Sequence, residues 1–201
     1  MWPFSLHADL NFNYGSGTAA KTDYAERSLI TSMEKVGDRI YAVGVHGIII
    51  FSDDSGNTWT QADYVPYQNT ITDISCTSED LCWATGHDAT ILHSSDGGLN
   101  WVKQYDDYDF DAPLLSIHMY DDKEGLAIGA FALSLRTSNG GESWDYLFLD
   151  DDDYQPHLNY VYGDNQAWRK SAKDEGYAVG EIGKYYISDD RGLNWLVVDT
   201  G

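Results

Sequence analysis

The sequence predicts an all-β protein of the propeller class, built from four-stranded antiparallel blades. A polar turn that ends in tryptophan recurs four times, and its indoles stand 42, 43 and 51 residues apart, at Trp59, Trp101, Trp144 and Trp195. A strand, a Gly-bearing corner and a second strand precede each turn. Aromatic residues make up 14% of the chain and glycines number 19, which is typical of many short strands joined by turns. A repeat of this length indicates a stacked or radial repeat architecture.

The four turns share a hydroxyl residue, an Asp or Asn, a Gly and a Trp. These positions are Ser52, Asp54, Gly56 and Trp59; Ser94, Asp96, Gly98 and Trp101; Thr137, Asn139, Gly141 and Trp144; Ser188, Asp190, Gly192 and Trp195. The first two side chains can bond nearby backbone amides, the Gly supplies a positive φ, and the indole packs beneath the turn. Asn139 keeps this hydrogen-bonding capacity without the charge, which favours a structural rather than a catalytic role.

Each repeat is predicted to hold four strands. An apolar strand comes first, at 29–33, 71–76, 114–119 or 158–162. A "YAVG"-like strand, a corner at Gly44, Gly86, Gly129 or Gly180, a third strand, the polar turn and a fourth strand follow. Four strands in ~40–45 residues is the content of one propeller blade. The predicted blades are about 29–66, 70–112, 113–155 and 157–199, within a domain of 29–201. An N-terminal segment, 1–28, either helps to close a small ring or precedes part of a longer propeller.

The charge excludes some partners. Asp and Glu number 33 against 12 Lys and Arg, for a net charge of −21. Nucleic-acid binding needs clustered cations, so it is not expected, nor is docking on anionic membranes. No apolar run is long enough for membrane insertion. The acidity favours a basic partner. The alternative is a solvated surface in cation-rich surroundings.

The two cysteines, Cys76 and Cys82, flank one predicted tight hairpin. A disulfide across it is geometrically plausible and would suit an oxidising compartment. The alternative is two small buried apolar side chains. The start, "MWPFSLHADLNFNYG", lacks the basic and apolar regions of a signal peptide. Either the chain is cytoplasmic, or it is a mature or shortened form.

The predicted topology gathers a candidate binding face. The connections between blades, 62–70, 105–113 and 149–157, should lie on the side of the corners between the second and third strands, opposite the polar turns. They combine carboxylates, aromatic rings and a Pro. The candidate residues are Tyr64, Tyr67, His87, Tyr105, Asp107, Tyr108, Asp109, Phe110, Asp151, Asp152, Tyr154 and Glu181. Such side chains suit a protein interface, a cationic peptide or a stacked sugar. The loops alternatively stay solvated or hold Ca²⁺, but no motif defines a metal site or a cofactor.

An insertion in the fourth repeat, 163–176, carries the cations Arg169, Lys170 and Lys173. This is the one local basic cluster of an acidic chain. We expect it on the side of the polar turns, where it could contact an acidic surface of a second copy. Self-association is therefore a hypothesis.

The turns resemble the Asp-box, or BNR repeat, in its S-x-D-x-G-x-x-W form. The longer pattern, "YAVGVHGIIIFSDDSGNTW" in the first repeat, is similar to the photosystem II stability/assembly factor family and its bacterial relatives. The resemblance implies a propeller that binds other proteins during assembly, without catalysis, outside the cytoplasm in the periplasm or as a secreted protein. The cysteine pair also resembles secreted members. The chain has five arginines in all, so the basic client-binding patch of plant and cyanobacterial members has no counterpart.

Asp-boxes also occur in sialidases and other glycoside hydrolases. A sialidase needs three arginines for the substrate carboxylate, but Arg136 and Arg191 lie in or beside the polar turns, and no "F-R-I-P" segment is present. A glycosidase needs two carboxylates at a defined separation, which a sequence does not give. We therefore predict a non-catalytic scaffold for protein partners. The alternatives are a carbohydrate-binding or glycoside-hydrolase-type propeller and a structural surface or assembly subunit.

Overall fold

The computed structural model of the chain describes residues 17–107, 109, 112–147, 149, 156–163 and 175–200. Sixteen strands in this part of the chain form four sheets, each of four antiparallel strands in sequence order. The prediction of an all-β fold with four-stranded antiparallel blades is confirmed. None of the described residues belongs to a helix long and apolar enough to cross a membrane.

The blades follow one another along the chain. Blade 1 holds β1 (Ile30–Val36), β2 (Arg39–Gly44), β3 (Ile49–Ser52) and β4 (Thr60–Gln61). Blade 2 holds β5 (Ile71–Cys76), β6 (Cys82–Gly86), β7 (Ile91–Ser94) and β8 (Val102–Tyr105). Blade 3 holds β9 (Leu114–Met119), β10 (Gly125–Gly129), β11 (Ser134–Thr137) and β12 (Asp145–Tyr146). Blade 4 holds β13 (Leu158–Gly163), β14 (Gly176–Gly180), β15 (Lys184–Ser188) and β16 (Leu196–Asp199).

The N-terminal segment is described from residue 17 onward. Residues 17–28 contain a 3₁₀ turn, Ala25–Arg27, and no strand. Ala25 is buried with Ala42, Ile48 and Ile50 of blade 1. The described part of the segment therefore caps one side of the first blade, and the earlier residues lie outside the described part of the chain.

The hydrophobic core lies between blades, because each sheet is apolar on both faces. In β2, Tyr41 and Val43 project to one side and Ala42 to the other, as strand geometry requires. We call the side of Tyr41 and Val43, with its equivalents in other blades, the forward face, and the opposite side the backward face.

Three clusters pack a forward face on the next blade's backward face. The cluster between blades 1 and 2 joins Tyr41 and Val43 to Ile74, Ala84 and Leu92. The cluster between blades 2 and 3 joins Trp83 and Ile91 to Ile117 and Ala127. The cluster between blades 3 and 4 joins Leu126 and Ile128 to Val161 and Ala178. Each large side chain buried in this way contributes about 1.5–3 kcal/mol to stability. The stacking of successive blades is therefore the main apolar contribution to the fold.

Polar side chains of the inner strands add hydrogen bonds across the same interfaces. The Cys76 amide donates to Glu34 Oε2 (2.6 Å), and the Ile117 amide donates to Asp73 Oδ2 (3.0 Å). The Met119 amide donates to Ser75 Oγ (3.0 Å). Each bond joins an inner strand to the backbone of the next, so it fixes the register between blades as well as adding stability.

The first hairpin of blade 2 carries a disulfide. Cys76 and Cys82 are directly paired residues of β5 and β6, their Cα atoms are 4.1 Å apart, and their sulfurs are bonded. Both side chains are buried. The bond closes the inner hairpin of the blade that packs on Tyr41.

Candidate functional site

The Asp-box turns use their polar side chains on their own backbone. Ser52 Oγ accepts the Gly56 amide (2.8 Å) and donates to Asp54 Oδ1 (2.8 Å), and that oxygen accepts the Thr58 amide (2.8 Å). Gly56 adopts φ +85°, a conformation that a side chain at this position would strain. The turns that contain Ser94, Thr137 and Ser188 repeat these contacts at 2.8–3.0 Å.

The third turn shows what the acid does. Asn139 Oδ1 accepts the Ser143 amide, and Asn139 Nδ2 donates to Ser143 Oγ (3.0 Å). In the fourth turn the direction is reversed, since Asn194 Nδ2 donates to Asp190 Oδ2 (2.6 Å). The Asp190 carboxylate and the Asn139 side-chain carbonyl thus both accept a backbone amide of their turn. The residue four positions later complements each of them: Asn194 donates to Asp190, and Ser143 accepts from Asn139.

The same contacts favour the charged form of Asp54, the acid of the first turn. Hydrogen bonds from the Thr58 amide and hydroxyl, and from Ser52, lower the pKa of Asp54 to about 2. Because its oxygens are taken by the turn, Asp54 is poorly suited to general acid–base chemistry near neutral pH.

A second set of corners, between the second and third strands, lies on the side opposite the Asp-boxes. Each corner has two consecutive residues with left-handed φ: His46 and Gly47, Asp88 and Ala89, Phe131 and Ala132, Ile182 and Gly183. In blades 1 to 3, the second residue's amide donates to the connection that leads into the next blade, at Asn69 O, Ala112 O and Pro156 O (2.8 Å each). The corners and the connections thus form one surface, which we call the loop face.

The first left-handed residue of each corner projects from the loop face. His46, Phe131 and Ile182 are exposed, and Asp88 is half-buried because Asn69 Nδ2 donates to its Oδ2 (2.7 Å). Left-handed φ costs a β-branched or bulky residue free energy. In blades 1 to 3, the backbone bond from the following residue helps to hold this conformation.

Two predicted loop-face residues lie elsewhere. Tyr67 is only 5% exposed and packs in the core between blades 1 and 2, where its hydroxyl donates to His87 O (2.9 Å). Its prediction as a surface residue is wrong, because the corner of blade 2 covers the ring. Tyr64 is exposed, but its backbone pairs with Asn100 in the Asp-box turn of blade 2. It is therefore away from the corners.

Tyr105 and Asp107 reach the loop face through a bond to blade 3. The Tyr105 hydroxyl donates to the Tyr146 hydroxyl (3.2 Å), which donates to Asp107 Oδ2 (2.7 Å). These hydrogen bonds, with some desolvation, raise the pKa of Tyr146. The Asp107 amide donates to Asp88 O, and Asp107 Oδ1 accepts the amide of exposed Asp109 (3.2 Å). Sequence reasoning missed Tyr146, since its partners come from the preceding blade.

Glu181 joins a third group on this face. Glu181 Oε2 accepts the His157 amide (3.3 Å), and the Glu181 amide donates to His157 O (3.1 Å). The Phe131 ring lies against the His157 ring, with 4.9 Å between centroids. His87 is exposed on the neighbouring corner. The exposed Phe131 ring therefore lies beside the His157 imidazole, and the His157 backbone is in turn bonded to Glu181.

Several predicted residues lie outside the described part of the chain. These are Tyr108, Phe110, Asp151, Asp152 and Tyr154 of the binding face, and Arg169, Lys170 and Lys173 of the basic insertion. Sequence reasoning also missed Ile182. Aligning the four corners at their glycines would have found it, because it stands two residues after Gly180, as Phe131 does after Gly129.

The inner strands enclose a second polar region. A cavity of about 260 Å³ is lined by residues of β1, β5, β9 and β13, among them Glu34, Asp73, His118 and Tyr160. Burial raises the pKa of Glu34 from its usual 4.5 to about 8, against the bond from the Cys76 amide and with the help of Asp73. Burial lowers the pKa of His118 to about 4. Glu34 and His118 are both favoured in their neutral forms here.

Metal ligands are not grouped in the described residues. None of these residues belongs to a cluster of three or more His, Cys, Asp or Glu side chains that could hold an ion. Ca²⁺ binding stays a prediction, because most of the acidic connection 149–157 lies outside the described residues.

Four-stranded blades, packed forward face on backward face around their inner strands, define a β-propeller protein. The family model described as photosynthesis system II assembly factor YCF48 matches residues 61–200. The chain belongs to this family.

Relatives and solved structures extend the comparison. The chain is 29% identical, over 110 residues, to the photosystem II stability/assembly factor HCF136 of Arabidopsis thaliana, covering 53% of this chain and 25% of the relative. The structure of YCF48 bound to D1 peptide matches 86% of this chain and 55% of that chain with a TM-score of 0.64 at 19% identity. An ancestral GH74 enzyme matches 91% of this chain and 24% of that chain with a TM-score of 0.65 at 15% identity. At these identities the solved structures show the fold alone.

The matches are partial in length. The chain spans 24–40% of the length of the curated relatives it matches. What those whole proteins do is therefore a basis for proposals about this chain.

Proposed function

We propose that the chain is a non-catalytic assembly-factor propeller that binds a polypeptide client at its loop face, outside the cytoplasm. The observation that carries the proposal is the convergence of corners and connections on one surface. That surface exposes His87, Phe131 and Glu181 while the backbone holds their positions. Exposed rings beside polar groups are typical of protein-binding sites.

The comparisons support the proposal in two ways. The family is that of photosystem II assembly factors, and one member is known in complex with a peptide of D1.

The acids of the described Asp-boxes are engaged by their own turns, which leaves catalysis without a candidate among them. The net charge of −21 favours a client that is basic where it meets the chain. The Cys76–Cys82 disulfide supports an oxidising compartment.

The test compares two faces of the same protein. The loop-face variant His87→Ser/Phe131→Asn removes two exposed rings, and Asn tolerates the left-handed φ of 55° at position 131. The control, Leu193→Ser, removes an exposed apolar side chain from the Asp-box turn of blade 4. Tagged wild type and both variants are incubated with native extract, and bound polypeptides are quantified by mass spectrometry.

We expect at least one polypeptide to be retained by the wild type and the control but lost from the loop-face variant. Equal retention by all three proteins would contradict the loop face as the binding site. A glycan array and a hydrolysis screen on the same proteins test the carbohydrate alternative. Saccharide binding or cleavage that the loop-face variant abolishes would replace the proposal.

A further inference from the structure

The aromatic side chain at the corner of blade 3 lowers the stability of the fold. Phe131 adopts φ +55°, a left-handed conformation that is unfavourable for a bulky residue. Its ring is 51% exposed, so little apolar burial offsets the strain. The fold does not require a ring here, since the equivalent residues of blades 1 and 2 are His46 and Asp88. Backbone strain of this kind concentrates at sites that bind ligands.

The corners of blades 2 and 3 are exposed with both neighbouring blades in place. Blade 2 packs between blades 1 and 3, and blade 3 packs between blades 2 and 4. Each corner is also joined to the connection that follows it. The Ala89 amide donates to Ala112 O, and the Ala132 amide donates to Pro156 O (2.8 Å each). The side chains that project from these two corners therefore belong to a surface that packing between blades leaves open.

The corner of blade 2 presents a carboxylate where blade 3 presents a ring. Asp88 Oδ2 accepts Asn69 Nδ2 (2.7 Å), and no described residue donates to Asp88 Oδ1. Asp107 adjoins the same corner, because its amide donates to Asp88 O (3.3 Å). The cation of the outer strand of blade 2, Lys103, is paired with Asp106 (2.9 Å). A cationic ligand would therefore complement the charge at the Asp88 corner.

The spacing of the two corners matches a short polypeptide segment. Asp88 and Phe131 are equivalent residues of sheets packed face to face, so roughly 10 Å separates them. In the polyproline II conformation, residues three apart project to the same side, about 9 Å from one another. Unfolded segments commonly adopt this conformation. In a β-strand, by contrast, residues three apart project to opposite sides. A polyproline II segment can therefore place one side chain at each corner.

We propose that the client of the loop face carries a Lys or Arg and, three residues away in either chain direction, a large apolar residue. The cation binds at Asp88, and the apolar side chain packs on the Phe131 ring. The inference rests on the proposed function, since it specifies which polypeptide the loop face takes. The ring contact buries apolar area, while the carboxylate contact sets the charge and the register of the client. An acidic segment would be repelled by Asp88 and Asp107.

A displayed peptide library provides the probe. Randomised twelve-residue peptides are selected on the full wild-type chain after depletion on Asp88→Asn/Phe131→Asn. Both substitutions suit the corners, because Asn tolerates the left-handed φ of 56° and 55° at these positions. We expect enriched peptides to carry Lys or Arg three positions from a large apolar residue. No enrichment beyond the depletion step, or enriched peptides without this pair, would overturn the proposal.

A synthetic peptide from the selection then assigns each contact by fluorescence anisotropy. Two altered peptides replace its cation by Gln or its apolar residue by Ser. We expect Asp88→Asn to weaken binding of the parent peptide about threefold or more, and to leave binding of the Gln peptide unchanged. Phe131→Asn should act in the same way on the parent and Ser peptides. Equal losses for parent and altered peptides would show that the pairs do not meet, and would overturn the proposal.

The controls separate this inference from the proposed function. Leu193→Ser should bind every peptide as the wild type does, and near-UV circular dichroism and thermal melts establish that each variant is folded. If native extract yields a polypeptide that His87→Ser/Phe131→Asn loses, while the selected peptides lack the cation and apolar pair, the loop face stands and this inference fails. If wild type, control and loop-face variant retain the same polypeptides from the extract, both fail.

Discussion

Blades 3 and 4 place apolar side chains at the same positions, yet one forward face is covered and the other is bare. Leu126 and Ile128 of blade 3 are fully buried against Val161 and Ala178, whereas Tyr177 and Val179 of blade 4 meet solvent. A repeat is therefore stabilised by its neighbour as much as by its own sheet. Equivalent residues of one chain are therefore buried core in one blade and exposed to solvent in another.

The largest expected difference in stability is between substitutions of two aromatic residues at equivalent positions, Trp83 and Tyr177. Trp83 is 1% exposed, packs on blade 3 and donates to Gly140 O (3.2 Å). We expect Trp83→Ala to lower the free energy of unfolding by about 3–5 kcal/mol. Tyr177→Ala should lower it by less than about 1 kcal/mol, because the ring is already half in water. Urea denaturation of both variants measures the difference. Similar losses would mean that the two faces are covered alike.

A smaller effect is the pH dependence of stability that Glu34, on the inner strand of blade 1, is expected to cause. The folded chain keeps a proton on Glu34 up to a pKa of about 8, while the unfolded chain loses it near 4.5. This contribution to stability is present at low pH and is lost as the pH rises between these values. Relative to Glu34→Gln, we expect wild type to lose on the order of 2 kcal/mol between pH 5 and pH 8. The equivalent residue of blade 4 is Tyr162, so blade 4 has no carboxyl group at this position.

Denaturation curves at several pH values give this difference. The exposed Glu142→Gln variant is the control and should follow the wild-type profile. Parallel profiles for wild type and Glu34→Gln would show that the blade 1–2 interface does not hold the proton.

The smallest effect concerns the Asp-box turns of the same two blades. Asp190→Asn alone sets two amide groups against each other at Asn194, and we expect a loss of about 1 kcal/mol. Adding Asn194→Ser reproduces the Asn139–Ser143 pair of blade 3, so the double variant should recover to within about 0.5 kcal/mol of wild type. Thermal melts measure both. Additive losses would show that the pair does not act as a unit.

The fold and the Asp-box contacts could be predicted because their signals are local. A hydroxyl residue, an acid, a Gly and a Trp at fixed spacing define one turn, and its recurrence defines the blade. The position of Tyr67 could not be predicted, since the corner of the next blade decides whether its ring is covered. The Tyr146–Asp107 bond also crosses between blades. Spacing within a repeat predicts the blade, whereas contacts between repeats decide which side chains remain available for binding.

Hydroxyl-radical footprinting of the unmodified chain compares a covered and an open forward face within one molecule, because Tyr41 and Tyr177 are the same residue type at equivalent positions. Tyr41 is fully buried beneath blade 2, and its hydroxyl donates to Glu79 O (2.6 Å). We expect rapid oxidation of Tyr177, Tyr160 and Tyr162, which are exposed, and strong protection of Tyr41. Protection of Tyr177 equal to that of Tyr41, in protein free of partners, would contradict this expectation.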